Sequence, residues 1–427
     1  YVSNSSGVIV DLKNGTGVVA IGDEDRLVNI QNVIGTKNSD LIKMGTVAGA
    51  LESVANSIDG GDGIDTISYE YYTANLTINL GAGAVATGDN DVLTSIENAI
   101  GGSGDDTFIS NTAVSNIFDG GAGSDTVDYS HLTNSSNSIV VTLNGSSLVT
   151  VTIAGLEDDS IKNIENVTGG AGNDTIVGDA NDNTLKGGAG NDILKGKSGN
   201  NSLYGGVGDD TIFSGTGNDY IDGGDGIDTV DYSEAIAAVN VDLGLETAQN
   251  IGGGMGQDTL ISIENVIGSN FDDTFKSHFS RDNYFDGYGS GIAGDTVDYS
   301  GIPVDNVTQD FVRIDLSSKK GTIFIDGTQS ATDTYRLIHN ITGTAGNDTI
   351  IGDELNNTLR GGAGNDTLGG GAGNDYLDGG SGNNTVTYAY SSSSVEVDFK
   401  IGLGYVSAGD KDTLVNIQNA IGGSGQD

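Results

Sequence analysis

A nine-residue repeat of the form G-G-x-G-x-D-x-U-x, in which U is apolar, constrains the fold more than any other feature of the chain. Seven copies run in register over residues 169–231 and five over residues 343–387. The first six positions of each copy are turn residues, and the last three predict a short strand with an apolar side chain at position eight. Such a period predicts a solenoid of stacked copies. Single copies begin at Gly60, Gly101 and Gly120, and looser ones begin at Gly35 and Gly268.

Charge narrows the partners that such a solenoid can have. The 427 residues include 60 Asp and Glu against 17 Lys and Arg, a net charge of −43, yet 36% of the residues are hydrophobic and evenly spaced. Charge alone would indicate disorder, whereas the regular apolar positions indicate a folded repeat protein whose charge is neutralised by a cation. Nucleic acid is excluded as a partner, and an anionic membrane surface is disfavoured. No apolar run approaches the ~18 residues of a membrane span, so we expect no membrane insertion.

A longer unit recurs between the blocks of repeats. It begins with D-T-[VI]-x-Y (Asn replaces Asp in the last copy), continues as an alternating strand, and closes on a phrase such as LTSIENAIG at residues 93–101. The five alternating strands are Leu76/Ile78/Leu80, Ile139/Val141/Leu143, Val239/Val241/Leu243, Val312/Ile314/Leu316 and Val395/Val397/Phe399. Alternation of this length predicts a strand with one buried face. We expect the tyrosines to lie in the core and the asparagine of each closing phrase to satisfy a turn. The tyrosines are Tyr69, Tyr129, Tyr232, Tyr299 and Tyr388, and the asparagines are Asn32, Asn98, Asn166, Asn265, Asn340 and Asn419.

No stretch shows helical periodicity, so the chain is predicted to be all-β. The predicted segments are a partial solenoid unit at 1–59, units with lateral loops at 60–168 and 232–342, regular rolls at 169–231 and 343–387, and a partial unit at 388–427. Both ends fall within a unit, so we expect the chain to be an excerpt of something longer. Stacked coils would form a rod of roughly 80–110 Å.

The repeat resembles the nonapeptide of RTX (repeats-in-toxin) calcium-binding β-roll proteins, found in large type I-secreted bacterial adhesins, surface-layer proteins and exoproteins. The resemblance implies a right-handed parallel β-roll or β-helix, with two nonapeptides per coil and several calcium ions held between the turns of successive coils. The implied calcium ligands are Asp65, Asp106, Asp125, Asp174, Asp192, Asp210, Asp219, Asp228, Asp273, Asp348, Asp366 and Asp375, with the turn glycines Gly169, Gly170, Gly172, Gly187, Gly188, Gly190, Gly205, Gly206, Gly208, Gly223, Gly224, Gly226, Gly361, Gly362, Gly364, Gly370, Gly371 and Gly373.

The chemistry of the turn also favours calcium. Glycine at positions one, two and four permits positive φ and lets backbone carbonyls point at a common centre. Aspartate at position six adds a hard oxygen, and calcium takes six to eight oxygen ligands. Carboxylates stacked ~4.8 Å apart would repel each other by about 3 kcal/mol at an effective dielectric near 20. Metal binding and folding should therefore be coupled.

Alternate repeats predict two unequal edges of the roll. One edge of the first block carries Asp174, Asp192, Asp210 and Asp228, and the opposite edge carries Asn183, Asn201 and Asp219. Because an amide oxygen is neutral, we expect a strong calcium column on the first edge and a weak or empty one opposite. In the second block the better edge has Asp348, Asp366 and Asn384, and the other has Asn357 and Asp375.

Catalysis has little support in the sequence. His131, His278 and His339 lie in no metal motif, and no serine lies in a nucleophile elbow. The absence of Cys excludes disulfides and thiolate sites. We therefore expect a non-enzymatic spacer of a large secreted or cell-surface bacterial protein, such as an adhesin stalk, surface layer or extracellular filament. The alternative is an accessory RTX module of a type I-secreted protease or polysaccharide epimerase or lyase. Expected partners are calcium, further repeats or neighbouring copies, and cell-surface polysaccharide.

Overall fold

The computed structural model describes residues 6–20, 23–28, 30–45, 55–86, 90–289, 293–406 and 409–425. The expected ends of the excerpt fall partly on residues 1–5 and 426–427, outside these ranges. The chain divides into two compact units, residues 1–213 with 222–226, and residues 214–221 with 227–427. Every regular element in the described ranges is a β-strand. Among the same residues, no helix is long and apolar enough to cross a membrane.

The first unit contains β1 to β23. They are β1 (Ile9–Asp11), β2 (Thr16–Ala20), β3 (Asp23–Arg26), β4 (Asn32–Ile34), β5 (Leu41–Lys43), β6 (Ser57–Asp59), β7 (Thr66–Ser68), β8 (Thr77–Asn79), β9 (Ala84–Ala86), β10 (Val92–Thr94), β11 (Asn98–Ile100), β12 (Thr107–Ile109), β13 (Ile117–Asp119), β14 (Thr126–Asp128), β15 (Ile139–Thr142), β16 (Val149–Ile153), β17 (Asp159–Lys162), β18 (Asn166–Thr168), β19 (Thr175–Val177), β20 (Thr184–Ala189), β21 (Ile193–Lys195), β22 (Ser202–Val207) and β23 (Thr211–Phe213).

The residues of β24 (Tyr220–Asp225) divide between the units, and the second unit contains the remaining strands. They are β25 (Thr229–Asp231), β26 (Asn240–Asp242), β27 (Gln249–Asn250), β28 (Gln257–Ile261), β29 (Asn265–Ile267), β30 (Thr274–Lys276), β31 (Tyr284–Asp286), β32 (Asp295–Asp298), β33 (Phe311–Asp315), β34 (Lys320–Ile325), β35 (Thr328–Arg336), β36 (Ile338–Thr342), β37 (Thr349–Ile351), β38 (Thr358–Arg360), β39 (Thr367–Gly369), β40 (Tyr376–Asp378), β41 (Thr385–Thr387), β42 (Val395–Asp398), β43 (Leu403–Val406), β44 (Lys411–Val415) and β45 (Asn419–Ile421).

Nonapeptides stack two to a coil, so a residue pairs with the one eighteen positions later. On one side of the coil Ile176 pairs in parallel with Leu194. On the other side Leu185 of β20 pairs with Leu203 of β22. These position-eight side chains are fully buried, because they point into the narrow space between two facing sheets. The predicted all-β parallel β-roll and its position-eight core are confirmed.

The longer units insert antiparallel strands between parallel rungs. β15, β16 and β17 form an antiparallel meander. β17 pairs in parallel with β13, and β15 pairs in parallel with β19. Within the second unit, β33 to β35 repeat this arrangement. The predicted lateral loop is therefore part of an antiparallel meander, and the two outer strands of this meander pair in parallel with strands of the solenoid.

The buried faces predicted for the alternating strands hold in four of five copies. Leu76, Ile139, Val239 and Val312 begin faces that are buried throughout. The last copy departs from the prediction, because Phe399 is 46% exposed. β42 ends at Asp398, and its partner among the described residues is the antiparallel β43, so no parallel rung covers this end of the strand.

Candidate metal centre

The glycine-rich turns stack closely enough to bring carbonyl oxygens of successive coils together. Gly188 and Gly190, at positions two and four of one turn, have φ values of +112° and +117°. A Cβ atom on Gly188 would lie 2.3 Å from the carbonyl oxygen of Gly170 in the preceding coil. Only glycine fits, and the turn presents a column of backbone oxygens. The second and fourth glycines of the predicted turns beginning at Gly187, Gly205, Gly223, Gly361 and Gly370 all have positive φ.

The aspartate at position six joins each turn to the preceding coil. Asp192 Oδ1 accepts a hydrogen bond from the Asp174 backbone amide at 2.7 Å, and Asp210 Oδ1 accepts one from the Asp192 amide at 2.7 Å. Asp192 is 1% exposed. Burial, with the negative charges of Asp174 and Asp210, raises the pKa of Asp192 to about 7. The column therefore holds carboxylates where their ionised form is disfavoured.

The second carboxylate oxygen of Asp192 has no hydrogen-bond donor. Asp192 Oδ2 is fully buried and lies 2.1 Å from the position a Cβ atom would take on Gly187. Calcium prefers such hard carboxylate and carbonyl oxygens, so these residues fit a calcium ion. The described residues contain no cluster of three or more His, Cys, Asp or Glu side chains that could hold a metal, so backbone carbonyls would supply most ligands. Buried and unpartnered Oδ2 atoms recur at Asp65, Asp125, Asp295 and Asp366.

A second form of the turn satisfies this oxygen from within the chain. The Gly170 amide donates to Asp174 Oδ2 at 2.8 Å, and the Ile139 amide donates to Asp174 Oδ1 at 2.8 Å. The coil that precedes each of these turns belongs to a longer unit and carries no glycine-rich turn at this position. Three glycines alone therefore do not determine the geometry, and the assignment of individual ligands stays a prediction. The predicted ligands in this second form are Asp106, Asp174, Asp273 and Asp348.

Asparagine on the opposite edge has a role that a carboxylate could not fill. Asn183 Nδ2 donates to the Glu165 carbonyl at 2.8 Å, while its Oδ1 accepts from the Asp179 amide at 2.9 Å. Asn357 makes the matching bond to the His339 carbonyl at 2.8 Å. Both oxygens of an aspartate would be acceptors and would leave these carbonyls unpaired. The geometry supports the predicted difference between the edges, which stays a prediction for metal occupancy.

Buried tyrosine–aspartate pairs lie in the longer units and were not foreseen from the sequence. The Tyr129 hydroxyl donates to Asp159 Oδ2 at 3.1 Å, and the Asn116 amide donates to Asp159 Oδ1 at 2.8 Å. Tyr129 and Asp159 are at most 1% exposed, and burial raises the pKa of Asp159 to about 6. The hydroxyl thus lies where a metal would otherwise satisfy the carboxylate. The other hydrogen-bonded pairs are Tyr69–Asp91, Tyr232–Asp258 and Tyr299–Asp333.

Position five carries a further ladder that runs in the opposite direction. The Asn191 amide donates to Asn173 Oδ1 at 3.0 Å, and the Asn365 amide donates to Asn347 Oδ1 at 2.7 Å. The position-five amide therefore bonds to the preceding coil, whereas the position-six amide bonds to the following one. The frequent Asn at position five was the sequence signal for this ladder.

Two family models match parts of the chain. The RTX calcium-binding nonapeptide repeat matches in four copies, at residues 164–194, 195–230, 340–354 and 351–386. The Peptidase M10 serralysin C terminal model matches residues 45–145, and it describes a non-catalytic region. Comparison with curated proteins found no match.

Stacked glycine-rich turns on a parallel solenoid define a calcium-binding β-roll. The chain carries RTX repeats that bind several calcium ions, as the sequence predicted. It is a calcium-binding RTX module of a secreted, extracellular protein.

Proposed function

We propose that the chain is a calcium-dependent structural spacer of a large secreted or cell-surface protein, and that it folds on calcium outside the cell. The buried Oδ2 atoms of Asp192 and Asp366, without a hydrogen-bond donor, carry this proposal. A buried carboxylate oxygen that has neither a hydrogen bond nor a positive partner opposes folding. Calcium supplies the missing positive charge, and extracellular modules bind it with dissociation constants of ~10⁻⁴–10⁻³ M.

The proposal includes no catalytic role for the chain. The buried carboxylates of Asp174 and Asp192 are committed to the ladders between coils, and that of Asp159 is committed to a tyrosine. His278 Nδ1 lies 3.1 Å from Ser280 Oγ in an exposed turn, where no oriented base–nucleophile pair is enclosed. Because these groups already have structural hydrogen-bond partners, they favour a spacer over an enzyme.

A calcium titration of the whole chain tests the proposal. Circular dichroism should show loss of β signal in excess chelator at low salt and a cooperative recovery on adding calcium. Small-angle scattering in calcium should show an elongated particle, as a spacer requires. A chain that stays fully folded in chelator would contradict the calcium dependence, and a compact particle in calcium would contradict the spacer role.

A second candidate is an accessory module of a type I-secreted enzyme. The serralysin C-terminal match over residues 45–145 favours it, because that model comes from a peptidase family. Sequencing the gene on both sides of this region separates the two functions. A catalytic domain next to the region would support the accessory module, whereas further repeats on both sides would support the spacer.

A further inference from the structure

We infer that a hollow in the second unit binds a neutral hexopyranose, the six-membered ring of a common neutral sugar. The hollow has a volume of about 260 Å³ and lies on the outer face of the sheet formed by β26, β30 and β32. Four of its lining side chains could recognise a ligand, namely Asp242, Lys276, Asp298 and Phe279. Such a site goes beyond the proposed spacer function, because it gives the solenoid a ligand of its own.

Three charged side chains form a row across the hollow. Asp242 of β26 pairs in register with Lys276 of β30, which pairs in turn with Asp298 of β32. The residue before each of them in its strand is a buried core side chain. Successive side chains of a strand point to opposite faces, so the row faces outward. Lys276 Nζ lies 3.9 Å from Asp242 Oδ2, and the row therefore alternates acceptor, donor and acceptor.

Backbone amides orient both carboxylates of the row. The Gly244 amide donates to Asp242 Oδ1 at 2.9 Å, and the Ser300 amide donates to Asp298 Oδ1 at 2.9 Å. Among the described residues, no donor is hydrogen-bonded to Asp298 Oδ2. A carboxylate offers about four lone-pair sites for hydrogen bonds. Both acids are therefore held in place and can still accept hydrogen bonds from a ligand.

An aromatic ring forms one wall of the hollow. Phe279 follows β30 and is 40% exposed. The His278 imidazole stacks on it, with ring centroids 5.2 Å apart and an interplanar angle of 12°. The Phe279 carbonyl accepts a hydrogen bond from Ser330 Oγ at 2.8 Å, which fixes the backbone at this point. One face of the ring is covered by histidine, and the C–H face of a pyranose can pack on the other, because the face of an aromatic ring is electron-rich.

The charges of the row disfavour other classes of ligand. Asp242 and Asp298 are two strand spacings apart, roughly 9–10 Å, with the Lys276 ammonium between them, so they do not form a site for one cation. An anionic ligand would meet two carboxylates and a single ammonium. An apolar ligand would cover the charges without giving them hydrogen bonds. The hydroxyls of a neutral sugar can donate to the carboxylates and accept from the ammonium.

The first unit contains the same hollow with different side chains. That hollow has a volume of about 370 Å³ and is lined by Asn79, Ile109 and Thr112. These residues stand where the second unit has its first acid, its lysine and its phenylalanine. The shape of the hollow therefore comes with the fold, whereas the charged row and the aromatic wall are particular to the second unit. Because the solenoid accommodates both sets of side chains, exchanging them gives matched variants.

Saturation-transfer NMR on the whole chain in calcium tests the inference. The probes are the methyl glycosides of glucose, galactose and mannose, with methyl glucuronide as an anionic comparison. At least one neutral probe should receive saturation at its ring protons, and the glucuronide should receive less. Phe279→Thr should lower the affinity for that probe about tenfold. The double variant Asp242→Asn with Phe279→Thr should abolish measurable binding, and Thr112→Ala in the first hollow should leave binding unchanged.

Three results would overturn the inference, provided that circular dichroism shows the chain to be folded. They are the absence of transfer to all three neutral probes, undiminished binding in the double variant, and stronger transfer to the glucuronide than to any neutral probe. The calcium dependence of folding is measured separately, so failure of this site and failure of the proposed function are distinguishable.

A crystal of the unmodified chain soaked with the best-binding glycoside gives a second readout that does not depend on a variant folding. The sugar ring should lie on Phe279, with a hydroxyl oxygen about 2.7 Å from a carboxylate oxygen of Asp298. A sugar bound only in the first hollow, or only at another surface of the chain, would refute the assigned site.

Discussion

Asp192 in the regular roll and Asp159 in a longer unit are the same carboxylate in two settings. Both are 1% exposed, and both accept a backbone amide of the preceding coil through Oδ1, at 2.7 Å and 2.8 Å. Each stands two residues before a core side chain. They differ at Oδ2, which accepts the Tyr129 hydroxyl at Asp159 and has no hydrogen-bond donor at Asp192. We therefore expect one solenoid to satisfy equivalent acids with a metal at Asp192 and with its own hydroxyl at Asp159.

This difference indicates which parts of the fold depend on calcium. A cation is needed only where the chain supplies no donor, as at the Oδ2 atoms of Asp192 and Asp366 on the glycine-rich edge. The longer units carry their donor on a core tyrosine, such as Tyr129 beside Asp159. We therefore expect calcium to control the folding of the repeats, and the tyrosine–aspartate pairs of the longer units to need no metal ion once the chain has folded.

Acidification should have the largest effect on the stability of the metal-free repeats, because many buried aspartates take up protons together. Burial raises the pKa of Asp192 and of Asp366 to about 7, above their ordinary value of 3.8. The folded state without metal then binds protons more tightly than the unfolded state, so its stability rises as the pH falls from about 7 toward 4. In chelator, circular dichroism should show β structure gained over this window.

Calcium should reverse the sign of that pH dependence. Metal-bound carboxylates are ionised, so protons compete with calcium and acidification weakens the calcium-loaded fold. Thermal melts at several pH values, with calcium and with chelator, should therefore slope in opposite directions. Parallel slopes in the two series would show that these aspartates do not bind the metal.

The sequence predicted the repeating parts of the fold well, because each depends on residues close in the chain. The position-eight core and the buried tyrosines follow from local alternation, and both are confirmed. The tyrosine–aspartate pairing was not predictable, because Tyr129 and Asp159 are brought together by a hairpin whose register is not encoded locally. Phe399 was wrongly placed in a buried face for a related reason, since its exposure depends on which strand lies alongside.

The closing phrase of the longer units also makes contacts that could not be predicted from residues close in the sequence. Its asparagine was expected to satisfy a turn, and Asn98 and Asn166 do accept backbone amides, but those of Ile117 and Thr184 in the following coil. Its glutamate was not predicted to join the ladder, because three residues (163–165) there take the place of six (120–125) in the repeat. Only the ladder of hydrogen bonds between coils reveals that Glu165 and Asp192 are equivalent.

Single substitutions on the two edges of the roll should sharpen the comparison. In calcium, Asp192→Asn should lower the free energy of unfolding by about 3 kcal/mol, since it removes a charge from the column. Asn201→Ser on the opposite edge should have a clearly smaller effect, because no carboxylate is removed. Chemical denaturation of both variants in calcium measures this difference. Equal losses, or calcium of equal occupancy on both edges in a crystal, would refute the predicted asymmetry.

Tyr129→Phe should produce a smaller loss of stability that calcium does not alter. Removing the hydroxyl leaves Asp159 Oδ2 buried without its donor, which should lower the free energy of unfolding by about 2 kcal/mol. The loss should be the same in calcium and at any calcium concentration that still permits folding, because no metal lies in this pair. Tyr376→Phe, at a tyrosine that is 36% exposed, is the matched control and should change stability little.

The pH dependence of that loss identifies its cause. The Tyr129 hydroxyl lowers the pKa of Asp159, which burial nevertheless raises to about 6, so the variant should raise that pKa further. A raised pKa in the folded state opposes folding above it and not below it. The difference between Tyr129→Phe and the unmodified chain should therefore be largest above the raised pKa of the variant and should shrink as the pH falls to about 6. A difference that is constant with pH would mean that the hydroxyl matters for packing and that Asp159 is satisfied in another way.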